Sequence, residues 1–328
     1  MKNENRIFIT GGAGYVGTSL VEELLKQNYY VTVYDLFMYG NHFTSQKNLK
    51  LIKGDIRNQQ LLKESIPGHD IVIHLACISN DPSFELNPAL GKSINFDSFE
   101  PLVSISKNCG IKRFINASSS SVYGIKNEKN VTENMKLEPL TDYSKFKALC
   151  EEILSKYTSN NFITVTIRPA TVCGYSKRQR LDVVVNILSN HAYFNRKILI
   201  YGGNQLRPNI NIKDMVRAYL SLINAPANLI NNQIFNAGFE NNSVKDLGLI
   251  IKKIIGDDVI LTLEETDDNR SYHINSDKIY DMLNFKPIYT IEDAVKSLVN
   301  AFDQKLLVNT FNEKNYYNIK LMKETSLT

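Results

Sequence analysis

Cysteine is scarce in this chain: four occur in 328 residues, at Cys77, Cys109, Cys150 and Cys173. They are widely spaced and none forms a C-x-x-C pair. This argues against a disulfide frame or a zinc site and for free thiols in a reducing compartment, so no metal is expected. A charge excess is lacking too. Lys and Arg number 38 against 34 Asp and Glu, a net charge of +4. The mixed signs leave no basic footprint for a nucleic acid. No apolar stretch approaches the about 20 residues needed to cross a bilayer, so no membrane partner is expected. The first strand begins almost at once with no apolar leader ahead of it, and the expected location is cytoplasmic. No internal repeat or low-complexity linker divides the chain. Its composition, 43% hydrophobic and 22% charged, is that of an ordinary globular protein. The length suits two domains, or one large core with a lobe.

What is present starts with Ile7-Phe8-Ile9-Thr10-Gly11-Gly12-Ala13-Gly14-Tyr15-Val16-Gly17. A short apolar run breaks into glycines and continues with Leu20, Leu24 and Leu25 at helical spacing. That order is strand, tight turn, helix. Gly12, Gly14 and Gly17 satisfy G-x-G-x-x-G, and Gly11, Gly14 and Gly17 the G-x-x-G-x-x-G variant. One glycine permits the turn, one admits a pyrophosphate against the backbone, and one lets helix and strand pack closely. The helix N-terminus offers free N–H groups and a positive dipole end to the phosphates. A second apolar run, Tyr30-Val31-Thr32-Val33-Tyr34, ends in Asp35, 18 positions after Gly17. A carboxylate there accepts from a ribose 2′-OH and repels a 2′-phosphate, which predicts NAD rather than NADP.

The alternation continues. Strands are expected at 49–56, 70–76, 112–117 and 163–169, with helices at 58–65, 93–108 and 143–156. Long loops cover 77–90 and 125–141. The nearly all-apolar run 70–76 reads as a strand buried on both faces of a parallel sheet. The expected fold class is α/β, a doubly wound parallel Rossmann sheet with a smaller C-terminal α/β substrate lobe. After residue 169 the rhythm changes: a loop and helix to 192, a short strand at 197–201, helices at 214–223, 244–255 and 291–302. A late strand at 233–238 returns to the main sheet. Residues 1–169 plus 207–238 are therefore assigned to the dinucleotide-binding domain, and 170–206 plus 239–328 to the lobe. The last residues, about 309–328, lack a clear period and either pack on the surface or fray.

Tyr143 and Lys147 stand four apart on an expected helix and share one face. A phenol is a poor base near neutral pH unless a cation is close. With Lys147 beside it, Tyr143 could take the proton of a substrate hydroxyl while hydride leaves the same carbon. Ser119, at the end of the fifth strand, would share the proton on that oxygen. These three are the catalytic candidates.

Together Thr10-Gly11-Gly12-Ala13-Gly14-Tyr15-Val16-Gly17, His74-Leu75-Ala76, Ser118-Ser119-Ser120-Ser121-Val122-Tyr123-Gly124, Tyr143-Ser144-Lys145-Phe146-Lys147 and Arg168-Pro169 resemble the extended short-chain dehydrogenase/reductase family. The nearest-looking branch is the nucleotide-sugar epimerases and 4,6-dehydratases, over about residues 6–302. The resemblance implies NAD as cofactor. It puts Tyr15 and Val16, with Gly11, Gly14 and Gly17, at the pyrophosphate, Asp35 at the adenosine ribose, and Asp55 and Ile56 at the adenine. Leu75, Ala76, Asn95 and Pro169 would line the groove with Tyr143 and Lys147. It further implies a nucleotide-sugar substrate, with Arg207 and Arg270 on its diphosphate, Asn186 between them, and Ser79, Ser120 and Thr171 as further contacts. A homodimer through the helices near 97–108 and 143–157 is also implied.

The departures choose the reaction. The 4,6-dehydratases carry Asp-Glu where this chain has Ser120-Ser121, and the sugar-acid decarboxylases a glutamate at the place of Ser121. The 3,5-epimerising relatives need a cysteine nearby, and 118–121 holds none. What remains is oxidation at one sugar carbon, C4. A 4-epimerase is the first expectation. The alternative is a 4-dehydrogenase or 4-keto reductase in surface-polysaccharide synthesis, since Arg180-Leu181-Asp182-Val183-Val184-Val185-Asn186 resembles the nucleotide-heptose members. A non-catalytic NAD-binding sensor is a third.

Overall fold

The computed structural model describes residues 5–126, 128, 130–266, 271 and 273–325. Twelve strands occur among them: β1 (Arg6–Thr10), β2 (Tyr30–Asp35), β3 (Leu49–Lys53), β4 (Ile71–His74), β5 (Arg113–Ala117), β6 (Ile163–Pro169), β7 (Thr171–Cys173), β8 (Lys197–Tyr201), β9 (Leu206–Asn211), β10 (Gln233–Ala237), β11 (Glu240–Ser243) and β12 (Ile260–Glu264). Seven form one sheet in the order β10-β6-β5-β4-β1-β2-β3, parallel at every pairing. The chain runs outward from β1 to β3, then jumps back to β4 on the other side of β1. That reversal leaves a crevice at the carboxyl ends of β1 and β4, the place where such sheets bind ligands. β4 is buried along its whole length, as an inner parallel strand covered on both faces must be.

Helices cover both faces. Tyr15–Lys26 and Ile212–Asn224 pack on one side, with Leu20, Leu24, Met215 and Leu222 fully buried. Gln59–Ser65, Phe99–Asn108 and Asp142–Tyr157 pack on the other. The lobe has its own apolar cluster between β8 and the helices Val184–Asn195, Val244–Ile255 and Ile291–Asp303.

Several elements differ from the sequence reading. Segment 77–90 is not one loop but holds two short helices, Asp81–Glu85 and Pro88–Lys92. Each has an Asn at its N-cap, Asn80 or Asn87, whose side chain accepts a backbone N–H, and a Pro in its first turn. The expected helix 93–108 opens with a π turn, Ser93–Asp97. Strands β7 and β11, of three and four residues, are too short to show a period of two, and β9 and β12 were not expected either. β9 joins β7 and β11 in a three-stranded sheet, so residue 207 lies inside a lobe strand and the chain returns to the main layer only with helix Ile212–Asn224. The tail packs. It forms a 3-10 turn, Lys314–Tyr316, and a helix, Asn318–Glu324, with Asn318 and Leu321 buried. No helix among the described residues is long and apolar enough to cross a membrane.

Candidate active site

A cavity of about 540 Å³ opens at the crevice between the carboxyl ends of β1 and β4 and runs to the lobe. Its floor is the glycine turn. Gly11 has φ +72°, and a Cβ on it would lie 2.5 Å from the Ala76 nitrogen. A Cβ on Gly17 would lie 2.6 Å from the Gly11 carbonyl oxygen. Neither position has room for a side chain. Helix Tyr15–Lys26 starts at Gly14 with no side-chain cap, so its first N–H groups remain available to a ligand.

Asp35 stands at the end of β2 on the cavity wall. Its oxygens accept from the Ala13 and Phe37 backbone N–H groups at 3.0 and 2.8 Å. Burial pushes its carboxyl up, and those two bonds and the charge of Arg178 pull it down. Asp55 and Ile56 line the same end, with Asp55 paired to Arg57 at 2.6 Å. Tyr15, Val16, Leu75, Ala76 and Pro169 also face the cavity. Asn95 does not. It is buried, and its amide pins Ile78 through both backbone groups, at 2.8 and 2.9 Å. It shapes the wall from behind.

Helix Asp142–Tyr157 carries the expected catalytic side chains Tyr143 and Lys147. Thr141 and Ser144 close a reciprocal capping box at its start. Tyr143 faces the cavity beside Ser119. Burial pushes the Tyr143 phenol well above its ordinary range, helped by the charges of Cys77 and Asp81; Arg180 and the hydrogen bond with Ser119 oppose this. Lys147 is buried directly behind: its Nζ lies 5.9 Å from the Tyr143 ring centroid and donates to the Ala117 carbonyl at 2.7 Å. Ser119 Oγ is 2.9 Å from Ser121 Oγ. One more turn along the helix, Glu151 is buried, accepts from Ser118 Oγ, and pairs with Arg168 at 2.6 Å. This pair ties the catalytic helix to the ends of β5 and β6.

The expected substrate residues divide. Ser79, Ser120, Thr171 and Arg207 line the cavity. Asn186 does not reach it. Fully buried, its amide is spent on the Gly174 N–H at 2.9 Å, the Tyr15 hydroxyl at 3.0 Å and the Arg180 carbonyl at 2.8 Å. The expectation of a substrate contact is corrected on that ground: Asn186 braces the lobe loop against Tyr15. Arg270 lies outside the described residues. The sequence reading missed Asp81, Arg178, Asp182 and Asn318, which all line the cavity. Asp81 accepts from Thr141 Oγ1. The Asn-Asp-Pro helix start at 80–82 was a usable signal for it. Nothing in the tail's pattern pointed to Asn318.

The model of the NAD dependent epimerase/dehydratase family matches residues 7–238. The chain belongs to this family. A putative UDP-glucose 4-epimerase of Methanocaldococcus jannaschii is 29% identical over 301 residues, covering 90% of this chain and 97% of the relative. UDP-glucuronic acid decarboxylase 1 of Xenopus tropicalis is 25% identical over 323 residues, covering 93% of this chain and 74% of the relative. The crystal structure of the UDP-glucose 4-epimerase of Thermotoga maritima with UDP-glucose matches with a TM-score of 0.83 at 24% identity, over 92% of this chain and 100% of that one. At that identity the last likeness is one of fold. The protein is an enzyme of the extended short-chain dehydrogenase/reductase type, and NAD is its cofactor. The groove fits the dinucleotide: a glycine floor without Cβ atoms, an uncapped helix start, and a carboxylate placed for a ribose.

Proposed function

We propose that the protein is an NAD-dependent nucleotide-sugar 4-epimerase. One observation carries this reading. The cavity wall holds Ser119, Ser120 and Tyr143, with Lys147 behind, and neither serine after Ser119 is replaced by a carboxylate that could eliminate water or assist decarboxylation. Asp81, whose charge acts on the tyrosine, accepts from Thr141 Oγ1. NAD in this groove supplies the acceptor, and later the donor, of the sugar's hydride. Tyr143 accepts the proton of the C4 hydroxyl as the C4–H bond is broken, leaving a ketone at C4. Ser119 donates to that oxygen. Lys147 offsets the negative charge on the phenolate. The ketone then presents its other face, Tyr143 returns the proton, and the C4 configuration is inverted with no net redox change. Arg207 on the cavity wall suits the substrate diphosphate, since a guanidinium matches phosphate oxygens in a bidentate fork.

The names of relatives suggest UDP-glucose as the first probe. Purified enzyme is incubated with it, products are read by proton NMR, and released dinucleotide is assayed for redox state. The expected result is the C4 epimer with NAD unchanged in total redox state. A released keto sugar with NADH accumulating makes the protein a 4-dehydrogenase and overturns the proposal.

A further inference from the structure

The cavity has a wall that the proposed reaction does not use. It is assembled from four distant parts of the chain: Tyr39 after β2, Ser79 after β4, Arg178 after β7, and Asn318 at the start of the C-terminal helix. All four face the cavity that holds Gly14 and Asp35. The Arg178 guanidinium carbon lies 3.7 Å from the Tyr39 ring centroid. Its Nη2 donates to Asn318 Oδ1 at 2.6 Å. Asn318 Nδ2 donates to Ser79 Oγ at 2.8 Å. The Asn318 backbone N–H donates to Asp182 at 2.9 Å, and the other oxygen of that carboxylate accepts from Arg180 at 2.6 Å. A continuous run of polar contacts thus crosses from the Rossmann loops to the lobe, with Asn318 as its centre.

Arg178 is an unusual residue to find there. It is 3% exposed. No carboxylate lies within ion-pairing distance of it among the described residues, and its buried Nε has no hydrogen-bond partner. Burial pushes its ionisation down to about 10, so at neutral pH it is a buried cation. A buried charge outside any direct ion pair is costly, and a ligand anion relieves the cost. The pyrophosphate that the glycine floor admits is such an anion. The element that holds Arg178 in place is itself anchored: Leu321 is buried, Leu181 N–H donates to the Tyr316 carbonyl at 2.8 Å, and Met322 packs on the apolar layer beneath the sheet.

We propose that Asn318 is a positioning residue of the cofactor site: it holds the Arg178 guanidinium on the wall of the dinucleotide groove, and its loss loosens NAD. The inference is independent of the epimerase reading, because cofactor dissociation is measured without a sugar.

The test uses full-length protein, wild type and the variants Asn318→Ala and Asn318→Asp, each loaded with NAD. Release is followed after mixing with an excess of a second NAD-binding dehydrogenase as a trap. The wild-type release rate is the reference. Asn318→Ala should release it roughly tenfold faster, the equivalent of about 1.4 kcal/mol. Asn318→Asp keeps an acceptor for Arg178 but gives it a counter-ion that competes with the pyrophosphate, so it too should release NAD faster than wild type, an effect that loss of packing alone would not produce. The NAD concentration for half-maximal turnover should rise with the release rate, while the melting temperatures of the cofactor-free proteins stay together. An unchanged release rate in Asn318→Ala overturns the proposal. So does release at the wild-type rate from Asn318→Asp.

Discussion

The two halves of the cavity are built differently. The cofactor half is mostly backbone. Gly11 and Gly17 leave no space for a Cβ, and the Asp35 carboxylate is aimed by two backbone N–H groups. The half we propose for the sugar is made of side chains from separate parts of the chain: Ser119 and Ser120 beside Tyr143, Asp81, Arg180 and Arg207. Parallel-sheet topology places the first half, since the crevice exists wherever the strand order reverses. Packing of particular side chains places the second. The same groove therefore serves many reactions, and the chemistry is decided by a handful of hydroxyls and charges.

The comparison is broken most directly at Tyr143. Tyr143→Phe removes the proposed proton acceptor and leaves the glycine floor intact. Turnover should fall by about 10²–10⁴-fold, with NAD content per subunit unchanged. A variant that lost NAD to the same degree would show that the halves are not separable. Next in size is the buried pair behind the site. Glu151 and Arg168 are 4% and 3% exposed in their side chains. Glu151→Ala strands the guanidinium and should cost about 3–5 kcal/mol in urea unfolding. Ser118 Oγ also loses its acceptor, which should loosen the adjacent Ser119, so activity should fall as well. A stability change under about 1 kcal/mol would mean the pair contributes no more than a surface ion pair does.

A smaller effect is expected at Asp35. Asp35→Ser removes the charge that repels a 2′-phosphate while keeping a hydroxyl that can accept the Phe37 N–H. The preference for NAD over NADP should narrow by about tenfold or more, read as the ratio of dissociation constants. An unchanged ratio would show that Arg178 and Tyr39, not Asp35, set the choice.

The same division explains what could be read from the sequence. Strands β1, β2, β4, β5 and β6 are apolar runs between glycines and polar turns, and every one was legible because burial on both faces demands it. The glycine turn, Asp35 and the Tyr143–Lys147 spacing were legible for the same reason, since local geometry makes them. The sugar half was less so. Asn186 sits at a plausible position along the chain, yet its amide is used up by Gly174, Tyr15 and Arg180. Only tertiary contacts decide that. Arg178 has a buried side chain that periodicity would place on a surface loop. Asn318 reaches the cavity from more than two hundred residues past Ser79, its bonding partner, and no local pattern encodes a contact of that range.

The smallest expected effect concerns how the sugar half tunes Tyr143. Its phenol is held above the ordinary range by burial first, and then by the charges of Cys77 and Asp81. As a base it works in the deprotonated form, so turnover should rise with pH up to the phenol's own titration in the loaded enzyme. A negative charge nearby disfavours the phenolate. Asp81→Asn removes that charge and keeps an oxygen for the Thr141 hydroxyl to donate to. The phenol should therefore titrate lower, and the rising limb of kcat against pH should move toward acid by up to about one unit. Near pH 7 the variant should be faster than wild type, by less than about tenfold. A shift toward alkali would mean that Asp81 acts on the substrate rather than on the tyrosine's charge, and a neutral amide in its place would then cost rate at every pH.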